Sequence, residues 1–318
     1  MSNTSKFFGC SPPLTNASPS NEENFLDKDL EAYLRNREDV LDSDIGVRKR
    51  RAILNRITVD VRSWAKAVGE SKNLSEDICI NGGGIQLRFF GSTRLKVNTP
   101  DSDIDIICIA PSFLSRSDFF TLFCSYLSKL EYITSLSVFA DAHTPVVKCC
   151  IDGLSIDMIF VSIQQQTLPV VIDVMDDKYL LGLDDQAIRS FNGCRLAEYI
   201  CNLVPNVETF CTALRTVKHW AKQRGLYSNI LGFLGGVNYA ILVAFVCQKF
   251  VNACAATLVK NFFLIYANWN WPCPVLLKDP EKPTGPANSG GSHFRVWNPR
   301  VNVSRAYEFI PSIGLGLE

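Results

Sequence analysis

Phe90-Gly91-Ser92-Thr93-Arg94-Leu95-Lys96-Val97-Asn98-Thr99-Pro100-Asp101-Ser102-Asp103-Ile104-Asp105 couples a Gly-Ser turn to two carboxylates separated by a single residue, and the rest of the chain can be read as positioning it. Side chains on a strand alternate between faces, so Asp103 and Asp105 share one face while Ile104 and Ile106 take the other. Like charges that close are unfavourable without a cation between them, and hard oxygen ligands on a short strand suit Mg²⁺ or Mn²⁺. A solvated acidic turn is the plainer meaning of a bare Asp-x-Asp. The preceding Gly91-Ser92 favours the metal site, because a Gly-Ser turn that leaves a strand and opens a helix offers backbone N–H groups and a hydroxyl to a phosphate.

Working outward, residues 85 to 90 read as the strand that enters this turn, and Gly82-Gly83-Gly84 before it as a plain turn, since no Lys-Ser/Thr pair follows as a P-loop requires. Downstream, residues 103 to 109 form an apolar strand, 117 to 130 an amphipathic helix with a Ser cap, and 133 to 139, 145 to 151 and 155 to 161 three further strands. The last two are joined by a tight Asp152-Gly153 turn. Asp157 lies between Ile156 and Met158, where an unpaired acid is costly to bury. A third carboxylate beside the first pair would complete a metal-binding triad.

Residues 25 to 68 are helical by their repeats Leu26, Leu30, Leu34 and Ile53, Ile57, Val61, Trp64-Ala65, after an irregular arm over residues 1 to 24. Arg48-Lys49-Arg50-Arg51 between them reads as a solvated helix face, with nuclear import or nucleic-acid contact as the alternative. From Leu180 the chain turns mainly helical, marking a second domain from about residues 162 to 175. The helix over 209 to 224 aligns Lys218 and Lys222 on one face, where they could hold phosphates or simply meet solvent. Tyr227 and Asn229 follow the turn at Gly225 and could take a base by stacking and edge hydrogen bonds. Gly235-Gly236-Val237 permits close approach of a ligand, or close helix packing. Residues 278 to 292 read as a surface loop and 294 to 303 as strand-like.

The composition, 318 residues with 47% apolar and 20% charged, is that of a globular protein long enough for two domains. Its 32 basic and 32 acidic residues cancel, which excludes a global field for polyanions and leaves any nucleic-acid contact to a local surface. Twelve cysteines scattered without CxxC spacing, behind no secretory signal, read as reduced buried thiols. The apolar run over 233 to 247 falls short of the ~20 residues a membrane span needs, so no membrane partner is expected.

Finer motifs carry a family resemblance: Phe90-Gly91-Ser92-x-Arg94-Leu95, Ser102-Asp103-Ile104-Asp105, Asp152-Gly153-x-Ser155-Ile156-Asp157, the run from Leu214 through Gly236, Asn268-Trp269-Asn270-Trp271-Pro272 and Val296-Trp297-Asn298-Pro299. Even the arm contributes, in Pro13-Leu14-Thr15-x-Ala17-x-Pro19. With these, roughly residues 8 to 300 resemble the catalytic and central domains of eukaryotic poly(A) polymerases, within the DNA polymerase β-like nucleotidyltransferase superfamily. The chain departs from the family's pattern at Thr93, Lys96 and Asn98, where Tyr, Gly and His are usual, and at His143-Thr144, where Phe-Val is usual.

The resemblance implies an α+β fold, a polymerase β-like mixed-sheet palm with flanking helices followed by a mainly helical central domain. The catalytic domain is expected over residues 25–165, and the central domain over 1–24 plus 166–318. It implies Asp103, Asp105 and Asp157 as ligands of two Mg²⁺ or Mn²⁺ ions, with Phe90, Gly91, Ser92, Thr99 and Ile104 at the nucleotide. Lys218, Lys222, Tyr227, Asn229, Gly236 and Val237 complete the ATP site. The implied reaction is template-independent addition of AMP from ATP to an RNA 3′ end, in the nucleus, by a monomer in contact with cleavage and polyadenylation factors. Poly(A) polymerases carry a third, RNA-binding domain beyond these two, absent from this sequence, so weak primer binding is expected. A non-catalytic partner of that machinery and a terminal transferase of other base preference are the alternatives.

Overall fold

The apolar residues of the chain's strands alternate with even parity against odd, and that alternation builds a sheet with two covered faces. The computed structural model describes residues 8–271 and 273–279; the expected loop over 278–292, apart from its first two residues, the strand-like stretch at 294–303, Pro272 and the Val296–Pro299 motif lie outside the described residues. In chain order the main elements are α1 (Asn21–Arg35), α2 (Asp44–Ser71), β1 (Gln86–Phe89), β2 (Ile104–Ala110), β3 (Ile133–Phe139), β4 (Val146–Ile151), β5 (Leu154–Ser162), α3 (Asp185–Leu203), α4 (Val207–Gln223), α5 (Gly236–Lys249) and α6 (Ala255–Ala267). No helix among the described residues is long and apolar enough to cross a membrane.

Two compact units result, one formed by Asp42–Glu198 and the other by the chain on either side of it. These units divide at Leu41 and within α3, whereas the resemblance sets its domain bounds near residues 24 and 165. Specific bonds explain the first shift. Asp27 of α1 accepts from the backbone N–H of Ala256 at 2.8 Å and Glu23 accepts from Thr257 Oγ1 at 2.8 Å, which ties α1 to the start of α6. The second shift follows from Ala187, Phe191 and Cys194, which bury the first part of α3 on the sheet.

In the sheet unit the strand order is β1-β2-β5-β4-β3. Only β2 and β5 run parallel; the other neighbours are antiparallel. Ile104, Ile106 and Cys108 of β2 and Ile156, Met158 and Phe160 of β5 face one way, onto Ile57, Val61 and Trp64 of α2 and the aromatic helical segment containing Phe119 and Phe123. The middle of that segment, Phe119–Phe123, is a π-helix, which lets Phe119 stack on Phe160 at 4.7 Å between ring centroids. Ile107, Ile109, Ile159 and Val161 face the other way, onto Leu168, Ile172, Tyr179 and α3. The hairpin joining β4 to β5 turns at Asp152 and Gly153 with φ of 51° and 76°, the pair of positive values that a two-residue type I′ turn requires.

The helical unit is built around α5, whose residues from Asn238 to Ala244 are all buried between α4 and α6. The arm docks on its end: Leu14 N–H donates to Lys249 O at 2.9 Å, and the buried Lys249 ammonium donates to Ser11 O at 3.0 Å. The cysteines among the described residues are all free thiols. Burial pushes Cys124 and Cys194 up to about 11 and Cys149 up to about 12, so these stay protonated at neutral pH, as expected of reduced core thiols.

Lys96 takes φ of 55°, in the left-handed region, at a position where poly(A) polymerases usually carry glycine. A left-handed L-residue costs about 1–2 kcal/mol, partly offset by the freedom a glycine adds to the unfolded chain. Lys96→Gly should therefore raise stability by up to about 1 kcal/mol, read as a higher urea midpoint with unchanged slope.

Candidate active site

The parity that fills both cores also sets out the acids. Asp105 and Asp157 carry the odd parity of Ile107 and Ile159, and parallel pairing sets Asp105 directly beside Asp157. The antiparallel hairpin then sets Lys148 directly beside Asp157 on the other side. On the near edge, Phe90 N–H donates to Asp105 O at 3.1 Å. A row Asp105, Asp157, Lys148 therefore crosses three strands on one face, at the end where β2 begins. Asp103 precedes β2 with the same parity and is exposed, whereas Asp105 and Asp157 are half-buried.

The Lys148 ammonium is ion-paired to the Asp157 carboxylate. Among the described residues no group of three His, Cys, Asp or Glu side chains stands assembled as a metal cluster. The backbone thus brings Asp105 and Asp157 together while the Asp157 carboxylate is engaged by an internal cation. The donor set of carboxylates without sulfur or imidazole fits a hard divalent ion, and Lys148 shows that the position accommodates positive charge.

Gly91 is pressed onto this row. It has φ of 56°, and a Cβ placed on it would overlap Asp105 Oδ2 and lie 3.1 Å from Asp105 Cγ. Both constraints require glycine. Residues Gly91–Arg94 make only a single helical turn, shorter than the helix expected after the Gly-Ser, so its dipole is small and any phosphate affinity must come from N–H groups and the Ser92 hydroxyl. Phe90 packs beside Gly193, its ring 3.6 Å from where a Cβ would stand. Arg94 forks onto Glu198 with two bonds of 2.6 Å. The side chain of Ile104, expected at the nucleotide, is fully buried in the core, on the opposite face from Asp105. Thr99 Oγ1 is engaged within its own loop, 2.8 Å from Ser102 Oγ.

In the helical unit, Lys218 is buried in α4, and the Lys222 ammonium lies 5.8 Å from the centre of the Tyr227 ring. Tyr227 stacks on Tyr239 with ring centroids 5.9 Å apart. Its hydroxyl lies 2.8 Å from where a Gly236 Cβ would stand, and the Asn229 amide 2.7 Å from that of Gly235. The two glycines thus let Tyr227 and Asn229 close over the first turn of α5, which Asn238 caps by accepting from Gly235 N–H at 3.0 Å. Val237, in the same turn, is partly exposed.

Sequence reasoning missed Lys148. The signal was present, since a two-residue turn at Asp152-Gly153 pairs any two residues whose numbers have the same sum, and 148 with 157 is such a pair.

Residues 9–204 match the family described as the poly(A) polymerase nucleotidyltransferase domain, and residues 209–316 the poly(A) polymerase central domain. This chain belongs to the poly(A) polymerase family. It is 38% identical to nuclear poly(A) polymerase 2 of Arabidopsis thaliana over 97% of this chain and 38% of the relative. Nuclear poly(A) polymerase 4 of the same plant is also 38% identical, over 98% of this chain and 41% of the relative. The chain thus spans about two-fifths of the length of these curated relatives. Crystal structures of the Cid1 poly(U) polymerase share the nucleotidyltransferase fold, one with a TM-score of 0.51 at 16% identity, covering 79% of this chain and 75% of the other.

Proposed function

We propose that this chain catalyses transfer of AMP from ATP to the 3′-hydroxyl of RNA, releasing pyrophosphate. The observation that carries this reading is the register that sets Asp105 beside Asp157, with Gly91 packed against Asp105, in a chain of this family. Two Mg²⁺ or Mn²⁺ ions, one held by Asp103 and Asp105 and one by Asp105 and Asp157, would supply charge neutralisation at the attacking and leaving oxygens. In the sheet unit, Ser92 and the N–H groups of its turn bind triphosphate oxygens. Lys218, Lys222 and the Tyr227 hydroxyl stabilise the charge that builds on departing pyrophosphate. Asn229 and the first turn of α5, at Gly236 and Val237, hold the nucleoside side of ATP. Thr99 contributes by fixing the loop before Asp103. Lys148, now ion-paired to Asp157, would give up that carboxylate to a divalent ion held there.

The names of the plant relatives support a nuclear location. The basic run contributes less to import than its sequence suggests. Arg50 is buried, the exposed Lys49 donates to Asp152 O at 2.6 Å, and the Arg51 guanidinium lies 5.9 Å from the centre of the Phe89 ring. We further propose that the chain acts as a monomer, with polyadenylation factors as partners and a weakly held RNA primer.

Primer extension with each of the four ribonucleotides and Mn²⁺ tests the reading. ATP should be incorporated at least about 10-fold faster than UTP, CTP or GTP, the discrimination that base-edge hydrogen bonds supply at the least. A preference for another nucleotide would transfer the assignment to a terminal transferase of that base. No incorporation at saturating primer would leave only a non-catalytic binding role.

A further inference from the structure

The loop that delivers Asp103 is gripped by one buried guanidinium. Arg50 of α2 is 3% exposed, although it lies in a run of four basic residues. Its Nε donates to Asp42 Oδ2 at 2.8 Å, Nη1 to Ser102 O at 2.8 Å, and Nη2 to Pro100 O at 3.0 Å and Thr99 O at 3.1 Å. Asn98 also reaches this cluster, donating from Nδ2 to Asp42 Oδ2 at 3.1 Å. The loop is closed on itself by Thr99 N–H to Ser102 Oγ at 2.8 Å and Ser102 N–H to Thr99 O at 3.0 Å. The carbonyls of Thr99, Pro100 and Ser102 thus meet on the planar fork, which together with Asp42 serves four acceptors, one more than the three N–H donors of a lysine ammonium.

We propose that Arg50 is a positioning residue for the metal centre, setting Asp103 through the 98–102 loop. The geometry leaves Asp103 little freedom. Ser102 O on one side is bonded to Arg50, and Ile104 on the other is fully buried in the core. The carboxylate between them is exposed, so its placement rests on these two neighbours. The inference rests on the reading of Asp103 as a metal ligand, and it gives Asn98 a place in that support through Asp42.

The test measures Mn²⁺ alone binding to the full chain, by the electron paramagnetic resonance of free Mn²⁺, beside thermal unfolding and amide exchange of residues 101 to 103. Arg50→Lys should remain folded and bind Mn²⁺ about 10-fold more weakly, the range for losing support behind a metal ligand. Exchange at Ser102 and Asp103 should quicken. Asp42→Asn, which keeps the fork but frees its anchor, should shift both readings the same way by a smaller factor, and it decides the matter where Arg50→Lys does not fold. Folded variants that bind Mn²⁺ within about twofold of wild type, while Asp103→Ala loses binding, would overturn the positioning role. An Asp103→Ala chain with unchanged Mn²⁺ affinity would instead remove the metal reading itself.

Discussion

Asp105→Ala is expected to abolish adenylyl transfer while leaving the fold in place. Asp105 is half-buried, at the second pair of the parallel ladder, and its immediate strand neighbour on the same face is Asp157. Two carboxylates side by side repel, so removing one costs the sheet little. The catalytic loss is another matter. Charge neutralisation by a bound divalent ion is worth several kcal/mol, and each 1.36 kcal/mol is tenfold in rate, so the loss should be about 10³-fold or more. Asp105→Asn should be as inactive, because an amide keeps the shape and loses the charge. Asp101→Ala is the matched control. Asp101 is exposed and accepts from Thr99 Oγ1 at 2.5 Å, so its loss should cost activity only through the loop. Initial rates at saturating ATP, read beside circular-dichroism melts, separate the two. Full activity of folded Asp105→Ala would refute the role assigned to this carboxylate.

What could be read in the sequence was whatever depends on local periodicity. The alternation of Ile104, Ile106 and Cys108 against Asp105 and Ile107 gave both the strand and its two faces, and Asp152-Gly153 gave the hairpin, because pattern and turn chemistry act over a few residues. What escaped depends on distant partners. Arg50 lies only three residues before Ile53 of the apolar repeat, yet its burial is legible only once the carbonyls of Thr99, Pro100 and Ser102 are known to converge there, some fifty positions away. Phe25 and Leu26 are exposed although their spacing is helical, since α1 turns its Leu34 inward and its acids to α6. The burial of the Ile104 side chain has a simpler reason. A family motif names a contiguous run, whereas a strand sends alternate members of that run into the core.

Gly91 is where backbone conformation and chemistry can be pulled apart. Its φ of 56° penalises any L-residue, and a Cβ there would also collide with the Asp105 carboxylate. Gly153, in the β4–β5 turn, has φ of 76° and nothing within 4 Å of where its Cβ would be. Gly91→Ala and Gly153→Ala therefore pay a similar conformational penalty of about 1–2 kcal/mol, and both should melt earlier by a similar margin. Only Gly91→Ala adds a displacement of the Asp105 carboxylate, the proposed metal ligand. The reaction depends on reacting groups held to well under 1 Å, and a misplacement of that size can cost about 10²-fold in rate. We therefore expect kcat to fall about 10²-fold or more in Gly91→Ala and to stay within about twofold of wild type in Gly153→Ala below its melting temperature. Equal activity losses in the two variants would mean that Gly91 serves the fold alone, and that its contact with Asp105 has no part in aligning the reaction.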